Sequence, residues 1–282
     1  MRRAEFATSL LRIGLTYDVM NGTSVEFEWL LGAADRLASL GPVPLVMTSL
    51  LRRLGIDLRV VEGLGPTTLT KPSDRSYRIV LARSRPSSQE LSRRERFTIA
   101  HEIGHVLVDH RLGYRPTNER AYHQLETWCD SFAGRLLVPD SSLAQLNVQS
   151  WRELAQVLEK VADAHEVSYA VAARRLVERY KSLALARLDS VKNKAGESVL
   201  KVKWVAGDAR FLGVQLHCHI TRRHVLSRLL GGASRDPTLV VQLPDVGRVK
   251  VHILRRRPGS MLLGARHPGA HGEQGSLTHQ SA

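Results

Sequence analysis

Apolar residues in the first part of the chain recur at helical spacing. Residues 1–40 are predicted to form a helical extension, which ends at Gly41 and Pro42 and has an apolar face made of Leu30, Leu31, Ala34, Leu37 and Ala38. A second helix is predicted over residues 44–54, where the apolar positions keep a helical period up to Gly55.

Alternation replaces helical spacing after this second helix. Ile56, Leu58 and Val60 alternate with polar residues, as in a half-buried strand. Residues 77–82 form a second predicted strand, which follows a loop rich in Gly, Pro and Thr. The chain therefore mixes helices with strands from its first third onward.

A long helix is predicted in the next part of the chain. Ser87 and Glu90 have the spacing of a capping box, so we place the start of this helix at about residue 89, and apolar positions continue without Pro beyond His105. Further helices are predicted over residues 121–137, before Pro139, and as a pair over residues 150–180.

The pattern changes again beyond residue 183. Short apolar alternations predict strands over residues 199–205, 214–220, 239–243 and 249–254. From Pro258 onward apolar residues become rare, and the tail is predicted to be disordered. His217, His219 and His224 lie in this part, where a polar sheet face is favoured over a second metal site.

These elements predict an α+β protein with five parts. They are an N-terminal helical extension (1–40), a mixed helix and strand core (41–145), a helix-turn-helix-like segment (146–182), a small β-rich module (183–265) and a disordered tail (266–282).

The composition narrows the class of protein. A hydrophobic fraction of 43% and a charged fraction of 24% are typical of a globular protein, and no apolar run approaches the roughly 18 residues of a membrane span. Arg12 and Asp18 interrupt the N-terminal apolar stretch, so no signal peptide is predicted and we expect a cytoplasmic protein. The net charge of +14 fits a nucleic-acid partner or a solvated arginine-rich surface, and both remain open.

The run HEIGH carries the strongest chemical signal. His101 and His105 are four residues apart on the predicted helix, so both imidazoles face one point, and Glu102 borders the same space. With only Cys129 and Cys218 in the chain, a metal must be held by His and carboxylates. The motif predicts a zinc site with Glu102 as general base.

The next predicted helix supplies a third ligand. Glu126 lies 21 residues after His105 and Asp130 four residues further on, so Glu126 can complete the metal ligands while Asp130 accepts the free ring N–H of a ligating His. A surface carboxylate at a helix start is the alternative for Glu126.

Other polar residues near the motif are alternatives to this ligand set. Asp109, His110 and Glu119 are competing ligands, and His110 is expected near the surface because it is nine positions from His101. His123 is a candidate for stabilising the oxyanion of the substrate.

Gly104 stands inside the motif helix, where Gly costs about 1 kcal/mol relative to Ala. We therefore expect a neighbouring element to approach it closely beneath the metal, with a helix C-cap as the disfavoured alternative.

The two motif regions resemble the ImmA/IrrE family of metallopeptidases. RFTIAHEIGHVL (96–107) contains the family's HExxH, and ETWCDSFAGRLLVP (126–139) matches its second motif at Glu126, Asp130, Phe132, Ala133, Leu136, Leu137 and Pro139. Cys129 occupies a position that is usually Ala, where a small apolar packing role is expected.

The resemblance implies a zincin-like core of thermolysin type that binds Zn²⁺, with Mn²⁺ as a second cation. It also implies that residues 77–82 are a candidate edge strand along which a peptide could lie, with packing in the core as the alternative. Family members act on helix-turn-helix transcriptional repressors in mobile elements or stress responses, so a repressor is the implied substrate.

Residues 154–176 look like a helix-turn-helix, with the turn at residues 165–168. Arg174, Arg175 and Arg179 are candidate phosphate contacts, whereas a helical hairpin with a solvated basic face is the favoured alternative.

The functional hypothesis is therefore a zinc endopeptidase that cleaves a repressor. The alternative is a DNA-binding transcriptional regulator whose core holds only a metal or a partner. Glu102 favours the enzyme, because a binding module needs no general base. The oligomeric state is not predicted.

Overall fold

A computed structural model describes residues 23–63, 65, 67–73, 76–83, 90–113, 116–146, 148, 150–181, 183–196, 198–208, 219–220, 238–243, 247–257 and 260–266. The fold is mixed α+β, as predicted. The chain divides into two compact units, Met1–Ala144 with Ala162–Ser168, and Gln145–Val161 with Tyr169–Ala282. The five-part division stays a prediction.

Two helices come first among the described residues of this unit, and residues 1–22 of the predicted helical extension lie outside them. Helix α1 spans Thr23–Ala38 and helix α2 spans Met47–Leu54. Gly55 ends α2 at φ +67°, a left-handed conformation that favours glycine, and strand β1, Ile56–Glu62, follows at once.

A three-stranded sheet follows, in the order β1-β3-β2. Strand β3, Ser76–Arg83, pairs parallel with β1 and antiparallel with β2, Thr68–Ser73. The prediction that residues 77–82 form an edge strand is therefore wrong, because β3 lies at the centre of the sheet. The unpredicted β2 arises in the Thr-rich stretch taken as a loop, where Pro72 is tolerated because the strand lies at an edge.

Two long helices complete the first unit. Helix α3 spans Arg93–Leu112 and helix α4 spans Glu119–Leu137, followed by the short helix α5, Asp140–Ala144. The largest fully buried side chains of this core are Phe132, Leu30, Leu37, Met47, Leu51, Leu54, Ile79, Leu81, Ile99, Ile103, Leu107 and Leu136.

The start of α3 differs from the prediction. Ser92 and Glu95 form the capping box, whereas Glu90 lies before the helix and Ser87 lies outside the described residues. Both serines precede an acid by three residues, so sequence spacing alone did not separate the two boxes.

The second unit contains most of helix α6, Trp151–Ala164, and helix α7, Tyr169–Arg179, which confirm the predicted pair. Its six-stranded sheet has the order β6-β5-β4-β9-β8-β7 and is antiparallel throughout. The strands are β4 Leu183–Lys192, β5 Ser198–Ala206, β6 His219–Ile220, β7 Thr238–Leu243, β8 Gly247–Arg257 and β9 Ser260–Arg266.

The sheet confirms the predicted β-rich module and extends it. Strands β4 and β9 were not predicted, because Leu183–Ala186 is a continuous apolar run without alternation and β9 contains a glycine. His217 and His224 lie outside the described residues, as does the tail from residue 267. No helix in the described part of the chain is both long and apolar enough to cross a membrane.

Candidate metal centre

Hydrogen bonds and an ion pair of three side chains fix the N-terminus of α3. The Ser92 hydroxyl accepts a hydrogen bond from the backbone N–H of Glu95, and the Glu95 carboxylate accepts one from the backbone N–H of Ser92. Arg83, at the end of β3, pairs with the same carboxylate at 2.5 Å. These bonds hold the start of α3 beside the end of a central strand.

Helices α3 and α4 approach closely at Gly104. A methyl group on Gly104 would lie 3.2 Å from Cδ1 of Phe132 and 3.3 Å from both Cα and Cβ of Cys129. The predicted close approach is therefore confirmed. Cys129 is fully buried, and burial raises the pKa of its thiol, as expected for a side chain that packs as a small apolar group.

This approach brings His101, His105 and Glu126 together. The Nε2 atoms of the two histidines lie 3.0 Å apart. Oε2 of Glu126 lies 3.2 Å from Nε2 of His101, and Oε1 of Glu126 lies 3.3 Å from Nε2 of His105. Within the described residues, these three side chains are the group of His, Cys, Asp or Glu whose ligand atoms all lie within 4.8 Å of one another.

The donor set and its dimensions fit a zinc ion. Bonds of about 2.0–2.2 Å to a tetrahedral ion separate neighbouring ligand atoms by about 3.3–3.6 Å. The separations of 3.0, 3.2 and 3.3 Å lie at or slightly below that spacing, so a small outward movement of the side chains would admit the ion. Two imidazoles and one carboxylate are also a ligand set that catalytic zinc sites use.

Asp130 contacts the first histidine from the other side of its ring. Nδ1 of His101 lies 2.9 Å from Oδ1 of Asp130. When Nδ1 carries the ring proton it donates to this carboxylate, which leaves the Nε2 lone pair facing His105 and Glu126. The structure thus places Asp130 where the sequence predicted a partner for a ligating histidine.

The charges of the cluster shift three pKa values in different directions. Burial lowers the pKa of His101, but the hydrogen bond and charge of Asp130, with the charge of Glu126, outweigh burial and raise it. Burial, and then the neighbouring His101, lowers the pKa of His105. Burial raises the pKa of Glu102. The charge of Glu126 adds to this rise, whereas the neighbouring His101 opposes it.

The competing ligands on α3 lie elsewhere. Oδ2 of Asp109 accepts hydrogen bonds from Lys71 at 2.9 Å and from the Tyr77 hydroxyl at 2.8 Å, so it joins α3 to the sheet. His110 was predicted near the surface, but it is buried, with 9% of its surface exposed. The prediction is wrong because α3 packs against several elements, namely α1, α2, α4 and β3, and few of its faces remain open.

The two candidates at the start of α4 lie in solvent. The side chain of Glu119 is 90% exposed and that of His123 is 69% exposed, and the two are 3.5 Å apart. Neither belongs to the metal-ligand group. An oxyanion role for His123 stays a prediction.

Tyr122 is a site residue that the sequence interpretation missed. The neighbouring Glu126 carboxylate, and then Glu102, raise the pKa of its phenol. The side chain is an exposed aromatic on α4. The available signal was its spacing, because Tyr122 precedes Glu126 by four residues and therefore shares its helical face.

The predicted phosphate-contacting arginines do not share one surface on α7. Arg174 and Arg179 are exposed, whereas Arg175 is buried, with 3% of its surface exposed, and pairs with Glu178. The buried side chain of Arg175 is not placed to contact phosphate, because consecutive residues of a helix face different directions, and the contacts of Arg174 and Arg179 stay predictions.

Fold and site together define a mixed α+β domain with a His-His-Glu group of the kind that metallopeptidases use. Residues 54–177 match the family Peptidase M78, the IrrE N-terminal-like domain. This part of the chain is therefore similar to the IrrE N-terminal-like domain, as the resemblance inferred from the two motifs predicted.

A solved structure described as a Mycobacterium tuberculosis transcriptional regulator is also similar to the chain. It is 17% identical, the match covers 94% of this chain and 82% of that chain, and the TM-score is 0.47. No curated protein sequence matches the chain.

Proposed function

We propose that the chain is a zinc-dependent endopeptidase that cleaves a helix-turn-helix transcriptional repressor, with Glu102 as general base. One observation carries the catalytic part of the proposal. The Nε2 atoms of His101 and His105 lie 3.0 Å apart, the two carboxylate oxygens of Glu126 lie 3.2 and 3.3 Å from them, and Glu102 is next to His101 on α3. The match of residues 54–177 to a peptidase family supports the same chemistry.

In this proposal His101, His105 and Glu126 hold the cation. The cation supplies a Lewis acid that polarises a peptide carbonyl and makes water acidic enough to act as a nucleophile near neutral pH. Asp130 orients His101 by accepting its Nδ1–H. Manganese is a second cation that a set containing a carboxylate accepts.

Glu102 moves the proton. Its carboxylate takes a proton from the attacking water and later gives it to the nitrogen of the leaving amine, so the peptide bond is replaced by an acid and an amine.

The substrate part of the proposal rests on the family resemblance. Strand β2 is an edge strand of the sheet, and its residues 68 and 70–72 are exposed, so an extended segment of a protein substrate can pair with it. A repressor bound to DNA is an intracellular target, so the proposal places the chain in the cytoplasm.

A cleavage assay tests the proposal. Purified chain is incubated with zinc, or with manganese, and with a helix-turn-helix repressor encoded near it, and wild type is compared with Glu102→Gln. We expect discrete fragments with wild type and a loss of about 10²–10⁴-fold in rate with Glu102→Gln. If both proteins leave the repressor intact and wild type binds duplex DNA tightly, the DNA-binding regulator is the better account.

A further inference from the structure

A cavity of about 680 Å³ lies at the start of α3, within the first unit. Residues 44–48, which lead into α2, and residues 90–93, which lead into α3, form most of its lining, and Arg96 and Glu166 complete it. Cavities of about 300–1,000 Å³ are typical of small-molecule sites. None of the candidate metal ligands, all of which the structure describes, lines this cavity, so it is separate from the metal centre.

Arg96 brings a buried positive charge to the cavity. The residue is 6% exposed, and its Nη2 atom donates a hydrogen bond to the Leu45 carbonyl at 3.1 Å. Its Nη1 atom lies 3.3 Å from Oε2 of Glu166. The Nε atom is buried and makes no hydrogen bond to the described part of the chain. Since buried donors are usually satisfied, these contacts leave the guanidinium incompletely paired.

Glu166 compensates the charge of Arg96 only in part. Its side chain is 50% exposed, so water screens its carboxylate from the guanidinium. Burial lowers the pKa of Arg96, and the charge of Glu166 opposes this shift without cancelling it. The guanidinium therefore has less negative charge near it than its burial requires.

Arg135, in the same unit, shows a guanidinium that is fully compensated. It pairs with Asp35 at 2.7 Å and with Asp140 at 2.5 Å. Burial lowers the pKa of Arg135, but the hydrogen bond and charge of Asp35, with the charge of Asp140, outweigh burial and raise it. Two carboxylates serve this guanidinium, whereas among the described residues Arg96 pairs with Glu166 alone.

The segment 44–48 makes its part of the cavity lining mostly apolar. Leu45 and Met47 are buried, whereas Val46 is 44% exposed, and Leu91 adds a half-buried apolar side chain from the segment before α3. An apolar group inside the cavity would cover part of this apolar surface and gain the free energy of its burial.

The charges of the lining favour a ligand with a single negative charge. Glu90 and Glu166 line the cavity together with Arg93 and Arg96, and Arg93 pairs with Asp163 at 2.7 Å. A doubly charged anion such as phosphate would meet two carboxylates, whereas a single carboxylate adds only the charge that Arg96 lacks. The planar guanidinium also suits a carboxylate, because the two groups can form parallel hydrogen bonds.

We propose that this cavity binds a small organic acid with one carboxylate and an apolar body. The carboxylate pairs with Arg96 beside Glu166, and the apolar body packs against Leu45, Val46 and Leu91. This inference goes beyond the proposed function and does not depend on it, because no candidate metal ligand takes part. Such a ligand would contact the helix that carries the two histidines of the metal centre.

Isothermal titration calorimetry of the full chain with three probes tests the inference. Hexanoate carries both features of the ligand, hexanol has the apolar body without the carboxylate, and acetate has the carboxylate with almost no apolar body. We expect hexanoate to bind at least about tenfold more tightly than either of the others, because each of them lacks one half of the interaction.

Variants of the lining locate the bound probe. Arg96→Gln removes the positive charge and should weaken hexanoate binding about 10- to 100-fold, the effect of losing a charged hydrogen-bond partner. Glu166→Gln removes the competing carboxylate and should tighten hexanoate binding about 2- to 5-fold. Glu119→Gln is the matched control and should bind as wild type does, because this acid of the same unit is 90% exposed and does not line the cavity.

Thermal unfolding shows which variants are folded. Glu166→Gln keeps the test decisive if Arg96→Gln is not, because a damaged protein would not bind more tightly. Hexanol or acetate binding as tightly as hexanoate would overturn the inference, and so would a wild type that binds no hexanoate. Equal hexanoate affinities of Glu166→Gln and Glu119→Gln, or of wild type and a folded Arg96→Gln, would also overturn it.

Discussion

The Oδ1 atom of Asp130 lies 2.9 Å from Nδ1 of His101, on the side of the ring opposite the cluster. Because this carboxylate fixes the tautomer and the orientation of the ring, Asp130→Ala should lower zinc affinity about 10- to 100-fold. Isothermal titration calorimetry with zinc measures the effect. Glu119→Gln is the control, since its side chain is an acid of the same helix that is 90% exposed and outside the cluster. An equal affinity in Asp130→Ala would show that His101 needs no such partner.

Gly104 offers a prediction about packing between α3 and α4. Gly104→Ala should gain about 1 kcal/mol of helix propensity but lose about 1–3 kcal/mol to overpacking, because the new methyl group meets the backbone of Cys129 at 3.3 Å. We expect a net loss of stability, seen as a melting temperature lower by a few degrees, and weaker zinc binding as the helices separate.

The matched control is another glycine inside a helix. A methyl group on Gly32 of α1 would meet only the end of the Arg36 side chain, at 3.6 Å. Gly32→Ala should therefore raise the free energy of unfolding by about 0.5–1 kcal/mol. If Gly104→Ala stabilises the protein as Gly32→Ala does, the close approach of α3 and α4 does not require a glycine at position 104.

His165 gives a prediction about pH. The residue is buried, with 5% of its surface exposed, and burial, reinforced by the charge of Arg96, lowers its pKa although it hydrogen-bonds the backbone of Leu137. His165 therefore takes up a proton more readily in the unfolded chain than in the folded chain. The free energy of unfolding falls as the pH drops below 6.5, the ordinary pKa of histidine.

His165→Gln keeps a side-chain donor for the Leu137 backbone but does not titrate. Melting temperatures at about pH 7.5 and about pH 5.5 bracket the ordinary histidine pKa. Wild type should lose more stability over this interval than His165→Gln, and the histidines of the metal centre are common to both proteins. Identical losses would mean that His165 does not contribute to the pH dependence.

Much of the site could be predicted because it depends on local spacing. His101 and His105, one helical turn apart, and Glu126 and Asp130, one turn apart on the next helix, need only the helical period to share a face. Gly104 predicted where the two helices touch, because glycine in a helix interior requires a reason.

The features that were missed depend on contacts between distant segments. The central position of β3 follows from its pairing with both β1 and β2, and no local pattern records strand order. The burial of His110 likewise follows from the elements packed around α3. Tyr122 was passed over although its spacing was visible, because an aromatic side chain is usually assigned to packing.

The account depends on one cation held by His101, His105 and Glu126, and zinc binding at equilibrium tests it most directly. Zinc titration of dialysed wild type should give one tight site per chain, and the double variant His101→Ala and His105→Ala should lack it, because a single remaining carboxylate cannot hold zinc with comparable strength. Tight binding that survives in the double variant would place the metal elsewhere and contradict the account.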